Sequence, residues 1–296
     1  MNKINKLELN KFNMKEMLTD STVLVIGRRR SGKSFLIRDI FYNKQHIPMG
    51  VVFSGTESAS PFFSEFIPDS FIYSEYSSDL MEAIFNKQKQ KLRKFKDKKK
   101  ADDNGKCNEN NFFIVLDDML HDASSWKKDK SIKSLFMNGR HYNVMGIVAV
   151  QYALGIPPDL RNNIDYVFIF NEPSIKNRKK IYEDYCSMIP SFDEFCNILD
   201  SCTRNFECLV VKTTGGSSNR VEDQVFWYKA EPHKNFRVGA KKIWDYHNKT
   251  YNRHYDKDYD MLQEQIIEER EKYKSSNKLK LFVNKTGDVT NYKVSH

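Results

Sequence analysis

The chain has 296 residues, 40% of them hydrophobic, enough to bury a large core with appendages. It contains no run of eighteen apolar residues, which excludes a membrane-spanning helix, and Met1–Lys6 lead into mixed polar sequence rather than an apolar signal segment. The net charge is +9, of which +8 lies between Lys87 and Lys100, where nine Lys or Arg meet one Asp; the rest of the chain is close to neutral. Such a block suits a polyanion partner and equally a solvated helix end. Five cysteines, at 107, 186, 196, 202 and 208, are odd in number and include no Cys-x-x-Cys pair. That pattern fits a reducing compartment and argues against zinc.

Residues 1–20 are a polar lead-in with Leu7, Leu9, Phe12 and Met17, read as a short strand and loop covering the nucleotide side. Residues 22–26 form the first buried strand and 32–43 the first helix. Residues 50–55 read as a short strand bounded by Gly, 56–69 as a loop and 71–76 as a further strand. Ser78 and Asp79 are candidate caps for a helix to about Phe95, with Leu80, Ile84, Leu92 and Phe95 near one face. Residues 96–111 are rich in Lys, Asp and Asn and read as an insertion, so that a basic inserted segment covers 87–111.

Phe112–Asp118 is a second conspicuous strand; five apolar residues in a row mean that both faces are buried, as in a parallel sheet, and it ends in two acids. Helix 132–139, strand 144–151, a turn at Gly155, strand 166–170, helices 174–185 and 191–202, and strands 206–212 and 225–229 follow, the last two joined by a turn at 215–219. Strands alternating with helices predict an α/β core of mostly parallel sheet flanked by helices over 21–235. Residues 236–296 form an extension, with a helix at 259–274 and a hairpin of 279–283 and 289–294 around 284–288.

The stretch from Val23 to Ile37 carries the chemistry. Gly27, Arg28, Arg29, Arg30, Ser31, Gly32, Lys33 and Ser34 match Gly-x-x-x-x-Gly-Lys-(Ser/Thr), the P-loop pattern, between an apolar strand and an apolar-faced helix. The glycines let the backbone curl so that N–H groups cradle phosphate, and the helix start adds its positive end. Lys33 can reach the β- and γ-phosphates of ATP, and Ser34 can offer its hydroxyl to Mg2+. In an open parallel sheet, ligands sit outside the carboxyl ends of the strands. Asp117, Asp118 and Gln151 stand at such ends. Asp117 is the candidate Mg2+ ligand, Asp118 the group that polarises the attacking water, and Gln151 the γ-phosphate sensor. Arg140, after a Gly at a helix-to-strand corner, and Arg161, before the strand at 166, are candidate arginine fingers for a neighbouring subunit, with Arg140 ahead; a surface ion pair is the alternative for each. Two other classes stay open: a monomeric P-loop kinase with 96–111 as its lid, and an ATP-binding scaffold without turnover.

The order Gly27–Ser34, Ile114–Asp118, Gly139-Arg140 before Gly146–Gln151, then Arg161–Phe168 resembles the FtsK–HerA class of DNA-pumping ATPases. Within that class it is similar to the genome-packaging ATPases of nucleocytoplasmic large DNA viruses, the poxvirus-type packaging ATPase among them. The likeness spans residues 20 to 185 and fades toward 230. It implies a RecA-like core, a homo-oligomeric ring (hexameric in most of the class), ATP-driven movement along double-stranded DNA, and loading of DNA into a capsid. A capsid or portal component would be the partner, and the virion or the cytoplasmic viral factory the location. By position, Lys33 and Ser34 correspond to Walker A, Asp117 and Asp118 to Walker B, Gln151 to the sensor and Arg140 to the finger. One departure stands out: many relatives carry Glu where this chain has Asp118, a side chain one methylene shorter.

Overall fold

The computed structural model describes residues 7–99, 110–119, 129–152, 156–214, 220–252, 261, 264–269, 272, 281–285 and 288–292. The turns expected at Gly155 and at 215–219 and most of the 96–111 insertion lie outside them. The chain divides into two compact units, Met1–Lys249 and Thr250–His296.

In the first unit an eight-stranded sheet runs in the order β3-β2-β4-β5-β1-β6-β7-β8. The strands are β1 (Thr22–Ile26), β2 (Gly50–Ser54), β3 (Ile72–Tyr73), β4 (Phe112–Asp117), β5 (Val144–Val150), β6 (Tyr166–Ile169), β7 (Glu207–Lys212) and β8 (Val225–Lys229). Strands β3 to β6 in that spatial order are parallel, while β6 with β7 and β7 with β8 pair antiparallel. The sheet is therefore mostly parallel, as read from the alternation of elements. The strand expected over 71–76 shrinks to two residues: Phe71 closes a 3-10 turn, Asp69–Phe71, and only Val52 and Phe53 of β2 offer pairing.

The helices are α1 (Lys33–Asn43), α2 (Ser78–Lys99), α3 (Lys130–Asn138), α4 (Ile175–Tyr185), α5 (Phe192–Cys202) and α6 (Lys241–Thr250), with a single helical turn at Pro158–Arg161. Among the described residues no helix is long and apolar enough to cross a membrane. Several starts are fixed by side-chain caps: the Asp129 carboxylate accepts the N–H groups of Ser131 and Ile132, and Ser174 and Ser191 hydroxyls cap α4 and α5. For α2 the cap is Ser77, whose Oγ accepts the Leu80 N–H.

The unbroken apolar strands feed two cores. Val23 and Val25 point to one face with Leu36, Ile40 and Phe41 of α1, while Leu24 and Ile26 point to the other, with Leu135 of α3, Ile181 of α4 and Leu199 of α5. Phe113 and Val115 of β4 split from Ile114 and Leu116 in the same way.

The lead-in does not cover the nucleotide side. Phe12 inserts among the rings of Tyr166, Phe168, Phe226 and Tyr228, and Lys11 bridges Trp227 of β8. Further along, the Met17 carbonyl accepts from Lys44 just past the end of α1, and the Ser21 carbonyl accepts the Gly146 N–H at 3.0 Å. Those contacts lie at the strand-start edge of the sheet, opposite the loop after β1. Apolar Phe12, Met14 and Met17 are buried in the core on the α1 face, where they contribute more than they could over a polar cleft.

In the second unit β9 (Leu281–Lys285) and β10 (Asp288–Tyr292) pair antiparallel with Lys285 opposite Asp288, a tighter hairpin than the expected 284–288 turn. Met261, residues 264–269 and Lys272 are helical, within the helix expected over 259–274.

Candidate nucleotide site

Strands β4, β5 and β1 are neighbours, so their carboxyl ends bring three segments of the sequence together. The loop after β1 is pinned at its start by the Gly27 N–H, which donates to the Val150 carbonyl at 3.1 Å. Gly27 is required by space: a Cβ there would lie 2.5 Å from Ser31 Oγ and 2.9 Å from Phe170 Cβ. Gly32 is required by conformation, with φ +107°, and Arg30 is also left-handed at φ 62°. Alternating right- and left-handed residues turn successive N–H groups to one side, the geometry of an anion nest. Directly after it α1 begins at Lys33.

Lys33 is buried and folds back over the loop, its Nζ donating to the Gly27 carbonyl at 2.7 Å and lying 3.8 Å from Asp118 Oδ1. Burial holds this ammonium below the usual lysine range, against the pull of Asp118 and Asp117 and with Arg29 adding to the depression. Asp117, the last residue of β4, is buried and accepts from Ser54 Oγ at 3.3 Å. Burial, reinforced by the charges of Asp118 and Glu57 and opposed by Lys33 and Ser54, pushes its carboxyl up to about 6. Asp118 follows in a left-handed bend, φ 53°, an uncommon conformation for a non-glycine residue. Gln151 Nε2 donates to Asp118 Oδ2 at 2.9 Å, and Asp118 Oδ1 is buried with no hydrogen-bond partner. The P-loop lysine, the two acids and the glutamine are thus in direct contact or one contact apart.

Two cavities open on either side of the loop, and Arg28 and Arg29 line both. One, of about 930 Å3, carries Lys33, Ser34, Asp117 and Asp118. The other, of about 840 Å3, carries Gln151, Tyr152, Glu172 and Asn177. Arg30 lines the first cavity only. Arg140 and Arg161 stand apart from this cluster, at the strand-start edge. Arg140 Nη2 donates to Asp165 Oδ1 at 2.8 Å with its own side chain 59% exposed, and Arg161 pairs with Asp184.

Sequence reasoning missed three contributors. Glu57 lines the larger cavity, and its carboxylate accepts the N–H groups of Phe62, Phe63 and Ser64, fixing that wall. Phe206 and the segment Lys229 to Pro232 form the wall on the other side. An acid three residues past a strand end was the only signal for Glu57; Phe206 looked like the first residue of a strand.

The donors present fit a hard cation. Ser34 offers a hydroxyl, Asp117 a buried carboxylate and Asp118 an unpartnered buried oxygen, and Mg2+ binds through one or two carboxylates plus phosphate and water. Accordingly it needs no cluster of three ligating side chains, and among the described residues there is none.

Comparison with known proteins agrees with this architecture. A protein of Acanthamoeba polyphaga mimivirus is 36% identical over 254 residues, covering 86% of this chain and 88% of its own. One from invertebrate iridescent virus 3 is 37% identical over 224 residues, 75% of this chain and 80% of its own. Among solved structures, the genome packaging NTPase B204 of Sulfolobus turreted icosahedral virus 2 in complex with AMP superposes with a TM-score of 0.50 at 16% identity, over 73% of this chain and 100% of that one. The pCW3 conjugation coupling protein TcpA with ATPγS superposes with a TM-score of 0.51 at 12% identity, over 72% and 60%. At those identities the two structures share the fold. The family model described as Poxvirus A32 protein matches residues 9–189, more than half of the chain and the whole span from lead-in to α4. The chain therefore belongs to the poxvirus A32 protein family, and the resemblance read from its sequence is upheld.

Proposed function

We propose that this chain is a P-loop ATPase that hydrolyses ATP to drive double-stranded DNA into a viral capsid. The observation that carries the reading is the convergence of Lys33, Asp118 and Gln151 around the loop after β1, joined by buried Asp117. The relatives support it: family membership links the chain to large DNA viruses, and the two superposable structures are a genome packaging NTPase with AMP and a conjugation coupling protein with ATPγS.

In this reading the N–H groups of residues 28–33 and the Lys33 ammonium hold the phosphates. Ser34 and Asp117 would hold Mg2+, which would supply positive charge to neutralise the phosphates. Asp118, oriented by the Gln151 amide, accepts a hydrogen bond from the attacking water and aligns it with the γ-phosphate. Lys33 is already desolvated, so its charge acts at low dielectric on the phosphoryl group as it leaves. Arg140 lies at the edge remote from its own phosphate loop, where it suits a neighbour's nucleotide in a ring. The basic half of α2 would meet DNA phosphates without reading sequence, so binding should fall steeply with salt.

The test is steady-state ATP hydrolysis with and without long double-stranded DNA, beside Lys33→Ala. DNA-stimulated turnover that the variant abolishes is expected. Turnover indifferent to DNA, or phosphate transfer to an acceptor other than water, would overturn the motor in favour of a kinase. ATP bound without turnover under any DNA condition would favour a scaffold.

A further inference from the structure

We infer that Phe206, with Ala230 and Pro232, forms the subsite that holds the nucleotide's base; this rests on the nucleotide reading above. The larger cavity is lined by charged groups, Lys33, Asp117, Asp118 and Glu57 among them, and also by apolar side chains, with Phe206, Ala230 and Pro232 grouped beyond the ends of β7 and β8. A nucleoside triphosphate likewise combines the two characters, with anionic phosphates at one end and a flat, weakly solvated ring at the other.

Phe206 has the marks of a residue kept for a ligand. The residue is 69% exposed, so it contributes little to the core. Its backbone is left-handed, φ 65°, directly after Asn205 at φ 51°, a conformation that is an outlier for a bulky residue. The ring leans on the phosphate loop: Phe206 Cβ and Cδ1 lie 3.7 Å from where a Cβ on Gly32 would stand. Glu207 and Lys229 form the terminal pair of the β7–β8 ladder, so Phe206 and Ala230 face each other just beyond it.

The Ala230–Pro232 part of this wall is tied to the same helix that begins with Lys33. Asp39 of α1, 1% exposed, accepts from the Tyr228 hydroxyl at 2.6 Å and the Glu231 N–H at 3.1 Å, and lies 2.6 Å from His233 Nε2. Pro232 sits between the last two. Base wall and phosphate loop are thus anchored to one helix, and such pre-organisation lowers the ordering cost of binding. Stacking on an aromatic face is the interaction such a wall provides.

The experiment is calorimetric titration of the full chain with Mg2+ and either ATP or inorganic tripolyphosphate, for wild type, Phe206→Ala, Phe206→Trp and Lys33→Ala. Phe206→Ala should weaken ATP about tenfold and leave tripolyphosphate unchanged. The added emission of Phe206→Trp should be quenched by ATP and not by tripolyphosphate. Equal weakening of both probes, or undiminished ATP affinity, overturns the subsite while leaving nucleotide binding intact. Lys33→Ala should weaken both probes. If wild type binds neither, or Lys33→Ala binds both as wild type does, the nucleotide reading itself falls.

Discussion

Replacing Asp117 by Asn should make the protein more stable while abolishing its hydrolysis. Asp117 is buried beside Asp118, and its carboxyl titrates at about 6 instead of 3.8. The folded state therefore holds the Asp117 proton more tightly than the unfolded chain does. Its stabilising effect is complete below pH 3.8 and is lost as pH rises through about 6. Above that, the ionised carboxylate costs the fold about two pH units of proton affinity at ~1.4 kcal/mol each, about 3 kcal/mol. Asparagine keeps the shape and an oxygen for the Ser54 hydroxyl but carries no charge. For a folded unit of this size each kcal/mol moves the midpoint by about 2–4 °C, so a rise of roughly 6 °C or more is expected at pH 8. Thermal melts of both proteins from pH 4 to 8, with chelator and no nucleotide, measure it. The gap should open between pH 4 and 6 and then stay constant. Mg2+ with a non-hydrolysable ATP analogue should then raise the wild-type midpoint and barely move the variant's. A variant that melts at or below wild type at pH 8 would refute the claim that this carboxylate is electrostatically strained.

Gln151→Ala removes the donor to Asp118; ATP affinity should hold while single-turnover hydrolysis drops on the order of 100-fold, and an unchanged rate would remove Gln151 from the reaction. Arg140→Ala removes the guanidinium from buried Asp165, whose other carboxylate oxygen still accepts the Thr22 N–H at 2.7 Å, and should cost about 1 kcal/mol in urea unfolding. If Arg140 acts on a neighbour's nucleotide, mixing Arg140→Ala with Lys33→Ala should restore part of the hydrolysis that each lacks alone; no recovery in mixed oligomers would refute the finger. Asp39→Ala strips acceptors from Tyr228, His233 and the Glu231 backbone and should destabilise by about 2–4 kcal/mol, read by denaturant titration, and weaken ATP more than tripolyphosphate.

The sheet was legible because its strands are apolar on both faces, and only a sheet covered by helices on both sides needs that. Val23 to Ile26 and Phe112 to Leu116 announce it residue by residue. Strand direction was not legible at the far end: Cys208 to Val211 would look the same parallel or antiparallel. The phosphate loop and the acids were readable because their spacing is local and topology does the rest, bringing the ends of β4, β5 and β1 side by side. Asp39, Phe206 and Glu57 were not, since each acts through partners set by the tertiary fold. Asp39 left a trace, a carboxylate on the buried face between Ile37 and Ile40, which only a waiting set of donors could justify. The insertion carries composition without periodicity, and composition alone does not fix partners.

The seat of Phe12 bears on the order in which the molecule can be made. Its four aromatic neighbours belong to β6 and β8, and the Phe12 N–H donates to the Trp227 carbonyl at 2.8 Å while Trp227 donates back to Asn10 at 3.1 Å. During synthesis this segment must wait for more than two hundred further residues before its final partners exist. Meanwhile its apolar side chains stay exposed, open to chaperones or to another nascent chain. When β8 emerges, the segment docks beside it, so a stretch made long before β8 becomes a late fastening on that flank. Long-range closure of this kind slows folding, and it makes the neighbourhood of residue 10 a poor place for a bulky insertion.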